Sequence, residues 1–351
     1  MLGVIVTLHE LGHLLAAKIF GVYCKEFSFG FGPKILAHQG KETEYCLRAL
    51  PLGGFVAMAG DSDNDLETKV ETDDLPPERT LTGIAKWKRI IIMMAGIMMN
   101  ILLAIVIYSL MILSTGTYAT STKPVITTVM EDSPALSAGL KEGDIITKAE
   151  FENGLSYKPD TYLELINFLD TYDGNGPWIL TVERQGESLK LEVTPKYYED
   201  QQRYMVGIGF SNQSVEAVKV NIFNCWIYGF QFAMFILKLT FSSLMTLFRG
   251  QNLDSLAGPI GIYSTVSQTA SLGMSYYLQL IAMVSINVGI VNALPLPIFD
   301  GGRVLLLIIE AIIGRPLSEK AQNLIMSISL GLLLLLFVFV MYNDISKIIG
   351  G

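Results

Sequence analysis

The chain has 351 residues, a length for one to three domains, and 51% of them are apolar, with a mean hydropathy of +0.44. That excess is gathered in blocks, which marks membrane segments rather than an oversized soluble core. A net charge of −8 argues against a nucleic-acid partner, and the three cysteines (Cys24, Cys46, Cys225) have neither metal-site spacing nor the number for a disulfide framework.

In chain order, residues 1–20 form an apolar run about as long as one membrane helix. It lacks the basic start of a cleavable signal peptide, so none is expected. Its abrupt beginning fits either residues missing upstream or a helix that starts part-way into the bilayer. Within it lies His9-Glu10-Leu11-Gly12-His13, which holds two of the chain's three histidines. On a helix, positions i and i+4 share a face, so both imidazoles can bind one zinc ion. Glu10, beside the first, is placed to act as general base. Chance is the bland explanation, but ionisable groups inside an apolar segment are costly and point to function.

Residues 21–89 begin Gly-rich and β-prone and turn acidic from Asp61 to Glu78, a stretch expected to form a loop. Residues 90–113 are a second span, interrupted strongly only by Asn100, for which helix packing is the favoured role. Residues 120–212 change character: strands are expected at 125–129, 178–182 and 189–193, and a helix over 160–169 with Asp160 as N-cap. This is one small α+β domain. Residues 217–250 carry Gln231 and Lys238 in mid-segment, so they either cross or lie in the interface. Residues 276–302 and 322–342 are the third and fourth spans.

A zinc hydrolase needs a third protein ligand and an open position. Asp300 is the leading candidate, because Pro295 and Pro297 break the third span just before it and Gly301-Gly302 permit a tight turn after it. Glu310 is a rival carboxylate. Asn287 and Asn292 on the same span either bind an unwound substrate backbone or bond to neighbouring helices.

Together these pieces resemble the site-2 protease family of intramembrane zinc metalloproteases, of the bacterial RseP type, over essentially the whole chain. His9-Glu10-Leu11-Gly12-His13 matches the family's zinc motif, and Asn292-Ala-Leu-Pro295 followed by Asp300-Gly301 matches its second motif. The resemblance implies one Zn2+ held by His9, His13 and Asp300, with Glu10 as base, and assigns Asn287, Asn292 and Pro295 to holding an extended substrate. Gly30-Phe-Gly-Pro33 and Tyr45 to Val56 are similar to the family's membrane-inserted β-hairpin, where Gly53 and Gly54 would meet a substrate added as a strand. Gly96-Ile-Met-Met-Asn100 resembles its second-helix motif, with Ile97 where proline is customary. Ser133 to Asp144 looks like part of a PDZ domain, with Gly139-Leu140 in the loop that would receive a chain end. Only one such unit fits, which suggests a Gram-positive type of enzyme.

The fold so implied is a polytopic α-helical membrane protein with about four transmembrane helices, a membrane-associated β-hairpin region and one α+β PDZ domain. The implied task is regulated intramembrane proteolysis in the bacterial plasma membrane. Its partners are the lipid bilayer and transmembrane substrates that a first extracytoplasmic cut has trimmed, such as anti-sigma factors or remnant signal peptides. Rivals are a membrane zinc peptidase of another family and a non-catalytic PDZ adaptor, against which the intact Glu10 and Asp300 speak. Lys86, Lys88 and Arg89 before the second span, and Arg303, Arg315 and Lys320 between the last two, make those loops cytoplasmic. The PDZ-like region is then outside and the active site lies toward the cytoplasmic side. A full crossing by residues 217–250 would leave Asp300 at the opposite face from the histidines, so that segment is expected to lie in or dip into the outer leaflet.

Overall fold

The computed structural model describes residues 1–61, 75–119, 123–152, 156–169, 172, 176–198, 203–210, 217–248, 266, 273–315 and 317–350. Most of the acidic stretch 61–78 and the connection 251–271 lie outside the described residues. The helices are α1 (Leu2–Ile19), α2 (Lys86–Thr115), α3 (Pro134–Ser137), α4 (Tyr162–Leu169), α5 (Cys225–Phe248), α6 (Met274–Asn292), α7 (Asp300–Ile313) and α8 (Glu319–Gly350). The strands are β1 (Cys24–Gln39), β2 (Glu44–Met58), β3 (Thr117–Ala119), β4 (Thr128–Val129), β5 (Ile145–Phe151), β6 (Ser156–Tyr157), β7 (Trp178–Arg184), β8 (Glu187–Val193), β9 (Lys196–Tyr198), β10 (Arg203–Met205), β11 (Ile208–Gly209) and β12 (Ala217–Lys219). Two compact units result: Met1–Met111 with Trp226–Leu237 and Leu256–Gly351, and Ile112–Cys225 with Lys238–Ser255.

Four described helices in the first unit are long and apolar enough to cross a membrane: Leu2–Ile19, Lys86–Thr115, Met274–Asn292 and Lys320–Tyr342. Helices α1 and α2 touch through glycines. A Cβ on Gly12 would strike the Ala95 carbonyl, and a Cβ on Gly96 would lie 2.5 Å from His13 Nε2. Small residues let two backbones approach closely where lipid offers no hydrophobic drive to associate. Below this crossing Leu14, Ala17, Ile92 and Met93 pack with Val56 and Met58 of β2. Higher on α2, Ala104 and Tyr108 pack with Ala233 of α5 and with Ala282 and Ile286 of α6.

Strands β1 and β2 form more than a simple hairpin. Residues Glu26 to Phe29 pair on one side with Gly54–Ala57 and on the other with Glu44–Leu47, while Lys34 to Gln39 pair with Glu44–Arg48. Two bent strands thus build a four-ribbon antiparallel sheet. The bend in β1 falls at Gly30, whose φ is +89° and whose Cβ would meet the Leu50 carbonyl. Buried Glu26 ties the ribbons together through Arg48 (2.8 Å) and Lys34 (3.0 Å).

The third expected span is divided. Helix α6 ends at Asn292, residues 293–299 are irregular, and Asp300 opens a separate helix, α7, which the sequence reading left unassigned. Pro295 and Pro297 have no N–H for a helical ladder. Gly301 and Gly302 then lie backbone to backbone against Ala293, Leu294 and Leu296, where any Cβ would collide. Glu310, the rival carboxylate, is engaged in structure: its Oε1 accepts from Leu317 N–H (3.0 Å) and Gln322 Nε2 (3.4 Å), closing the turn into α8.

The second unit has its own core of Ile126, Leu140, Ile146, Phe151, Leu165, Trp178, Leu180 and Val182. Its central sheet has the order β6-β5-β7-β8, all antiparallel. Expected strands 178–182 and 189–193 are present, whereas 125–129 reduces to β4 and a single bridge from Val125 to Ile145. The N-cap of α4 is Thr161, one residue beyond the expected Asp160. Its Oγ1 accepts from Glu164 N–H (3.1 Å), and Glu164 Oε2 reaches back to Asp160 N–H (2.9 Å). Leu140, expected in a ligand-receiving loop, is 1% exposed, with its side chain in the core. The Gly139 carbonyl beside it accepts from Arg184 Nη2 (2.7 Å).

Arg184 also grips Asp144 with two bonds of 2.6 and 2.7 Å. Burial works to raise the Asp144 carboxyl, but Arg184 and the Lys141 N–H outweigh it and hold it below the usual carboxylate range. Because the folded value is depressed, this stabilisation is complete above the unfolded value of about 4 and is lost as pH falls through the folded one. Asp144→Asn should therefore speed hydrogen exchange of the β5 and β7 amides several-fold at pH 7. The difference from the unsubstituted protein should begin to shrink below about pH 4 and vanish once the pH has fallen through the depressed folded value.

Candidate active site and metal centre

Helix α1 sets the two histidines one turn apart on its buried face, each 5% exposed. His13 Nδ1 lies 2.8 Å from the Ile92 carbonyl of α2. A carbonyl only accepts, so Nδ1 carries the proton and the Nε2 lone pair is directed inward. His9 Nε2 is 3.2 Å from His13 Nε2. The first residue of α7, Asp300, brings Oδ2 to 2.9 Å from His9 Nε2 and 3.3 Å from His13 Nε2. Three strong donor atoms, two of them four residues apart and the third 291 positions beyond His9, thus meet in a triangle. Tetrahedral zinc with bonds of about 2.0–2.1 Å requires ligand atoms about 3.3 Å apart. The donor set and its spacing fit the ion.

The Glu10 carboxylate is half-buried, and a ligand atom from each of His9, Glu10 and His13 falls within 4.8 Å of the others. All four residues line a cavity of about 640 Å3 that is also bounded by Val6, Met93, Val288 and Phe299. Asn287 and Asn292, two of the predicted substrate residues, line it as well. Gly53 and Gly54 do not, but the strand that follows them does, through Phe55, Val56 and Met58. Thr7 Oγ1 of α1, which donates to Gly3 O (2.7 Å), also lies 3.3 Å from the Gly53 carbonyl, beside that strand. Pro295 is exposed in the connecting loop, outside the set of lining residues.

Several residues at the site were not singled out by sequence as functional. Asp61 and Arg303 line the cavity and form an ion pair of 3.5 Å. Gly96 faces both imidazoles with no room for a side chain. Asn100, one turn further along α2, is fully buried with its Nδ2 placed 3.2 Å from His9 Nδ1. The signal existed: Gly96 and Asn100 are four apart and so share the helix face turned to α1.

The helices, the buried donor triangle and the adjacent carboxylate define a membrane metallopeptidase. The model of Peptidase family M50 matches residues 1–336, and the chain belongs to that family. The regulator of sigma-W protease RasP of Bacillus subtilis is 31% identical, over 99% of this chain and 96% of its own length. The zinc metalloprotease RasP of Geobacillus kaustophilus is likewise 31% identical, over 98% and 96%. The chain is a zinc-dependent intramembrane metalloendopeptidase.

The glycine at the crossing supplies a prediction. Gly96→Ala should push the two imidazoles apart, because a methyl would lie 2.5–2.7 Å from His13 Nε2 and His9 Cε1. Zinc content after dialysis should fall well below one ion per chain, while helix content by circular dichroism stays unchanged.

Proposed function

We propose that His9, His13 and Asp300 hold the zinc ion and that Glu10 is the general base of peptide hydrolysis. The observation that carries this is the triangle of two imidazole nitrogens and one carboxylate oxygen, with sides of 2.9, 3.2 and 3.3 Å. When bound, zinc supplies a Lewis acid for the scissile carbonyl and lowers the pKa of a water toward 7. Glu10 takes the proton of the attacking water and delivers it to the leaving amine. The apolar cavity walls limit how much other water competes.

The substrates are membrane proteins already trimmed outside the membrane, such as anti-sigma factors or remnant signal peptides. A helical peptide bond is shielded by its own hydrogen bonds, so the substrate unwinds before cleavage. Asn287 and Asn292 then bond to its freed backbone, and the Gly53–Met58 edge of the four-ribbon sheet accepts it as an added strand. The order β6-β5-β7-β8, with α4 against it, supports reading residues 120–212 as a single PDZ domain outside the cell membrane, where it filters substrates by bulk. The basic residues flanking α2 and α7 support a cytoplasmic-side active site, and Lys238 supports an α5 that lies in or dips into the outer leaflet.

In purified protein with a model transmembrane peptide, Glu10→Gln should keep its zinc and lose at least about a hundredfold in turnover. Asp300→Asn should lose zinc and turnover together, because an anionic ligand becomes a neutral one. Near-normal turnover by Glu10→Gln would sink the mechanism.

Topology has its own test. In a background without the three native cysteines, a single cysteine between positions 251 and 271 should react with an impermeant thiol reagent added from outside. Labelling only after the membrane is opened would mean five crossings, which is incompatible with one site shared by His9, His13 and Asp300.

A further inference from the structure

We infer that Asn100 is a positioning residue of the zinc site: its side-chain carbonyl accepts the Nδ1–H of His9 and so fixes the ring orientation and tautomer that point Nε2 at the metal. The inference rests on His9 being a zinc ligand. Three observations carry it. Asn100 is 0% exposed, so each polar atom of its amide needs a partner within the protein. The amide faces His9 Nδ1 at 3.2 Å, but with its nitrogen turned toward the ring, while its Oδ1 is buried without any hydrogen bond. That orientation requires a bare Nδ1, hence a proton on Nε2, the atom that converges with His13 and Asp300. A half-turn of the amide exchanges its nearly equivalent O and N ends. It puts the acceptor oxygen against the ring and the nitrogen in the oxygen's former place, moves the ring proton to Nδ1 and frees Nε2 to bind metal. His13 already has the same arrangement, with its Nδ1 held by the Ile92 carbonyl.

The surroundings keep Asn100 where this requires. Its backbone carbonyl accepts from Ser285 Oγ of α6 at 2.8 Å, and both residues are fully buried. Gly96, one turn earlier, leaves space for the imidazoles to reach α2. Helix α2 therefore contacts both histidines from outside the ligand triangle, through one main-chain and one side-chain acceptor. Groups in this outer position set ligand orientation, and losing them costs about 10–100-fold in metal affinity.

The test compares zinc affinity, by chelator competition, in three variants of the full chain. Asn100→Leu removes the acceptor at similar volume and should bind zinc about 10–100-fold more weakly, while the metal-free protein unfolds at an unchanged temperature. Asn100→Asp, which accepts but in its ionised form cannot donate, should restore affinity. His9→Ala should lose the metal. In the zinc-loaded, unsubstituted protein, long-range 1H–15N spectra should show His9 protonated on Nδ1; with three histidines in the chain, assignment is direct. The spectrum and the Asp variant decide the matter even if the Leu variant fails to fold. Wild-type affinity in Asn100→Leu, equal weakness in the Asp variant, or a bare His9 Nδ1 would each overturn the inference. Undiminished zinc in His9→Ala would instead overturn the ligand assignment, and this inference with it.

Discussion

The site depends on how closely α1 and α2 approach. Gly12 and Gly96 remove the side chains that would hold the two backbones apart, and the space left is filled by the imidazoles themselves. With larger residues at the crossing, the histidines would face lipid, where an unpaired polar ring is costly. With them buried, each ring nitrogen must have a partner, and α2 supplies partners through Ile92 and Asn100. Burial thus creates the demand for hydrogen bonds, and meeting that demand orients the metal-binding atoms.

The second dependence is on the break between α6 and α7. A continuous helix would carry Asp300 onward along its axis. The prolines end α6, and the two glycines let α7 turn back on the 293–297 segment, so that the first residue of α7 points into the bundle. Irregular backbone is tolerated at membrane depth where it is buried in protein or lines a cavity, and Ile298, Phe299 and Asp300 do line one. The same segment ends at Arg303, whose pairing with Asp61 brings the cavity's cationic and acidic rims together.

The helices and the metal motif were legible because each is a local pattern. Apolar length gives a span, and i, i+4 spacing gives a shared face without reference to anything else in the chain. The break before Asp300 was legible for the same reason, since proline and glycine act on their own backbone. What sequence left open was pairwise. Glu310 and Asp300 were both carboxylates near the last spans, and only the contacts of Glu310 with Leu317 and Gln322 show it engaged in structure. Asn100 read as packing because nothing in α2 alone says which helix lies opposite. The four-ribbon arrangement of β1 and β2 was hidden because one strand pairs on both sides, a fact of bending at Gly30 rather than of alternation. The anchoring of the Gly139-Leu140 turn was hidden for a different reason: the Gly139 carbonyl is held by Arg184, 45 residues away.

The separation of the donor atoms along the chain has a consequence for biogenesis. His9 and His13 are made before Asp300, which follows His9 by 291 positions. At synthesis rates of roughly 5–20 residues per second, the pair waits on the order of 15–60 s for the carboxylate that completes the triangle. Throughout that interval the ribosome-bound chain has spans and cavity walls in the bilayer but an incomplete metal cage. A hydrolase that meets its own emerging helices, and those of its neighbours, in the plane of the membrane is therefore inert until its architecture is nearly whole. The linear order of the gene thus delays the assembly of the site.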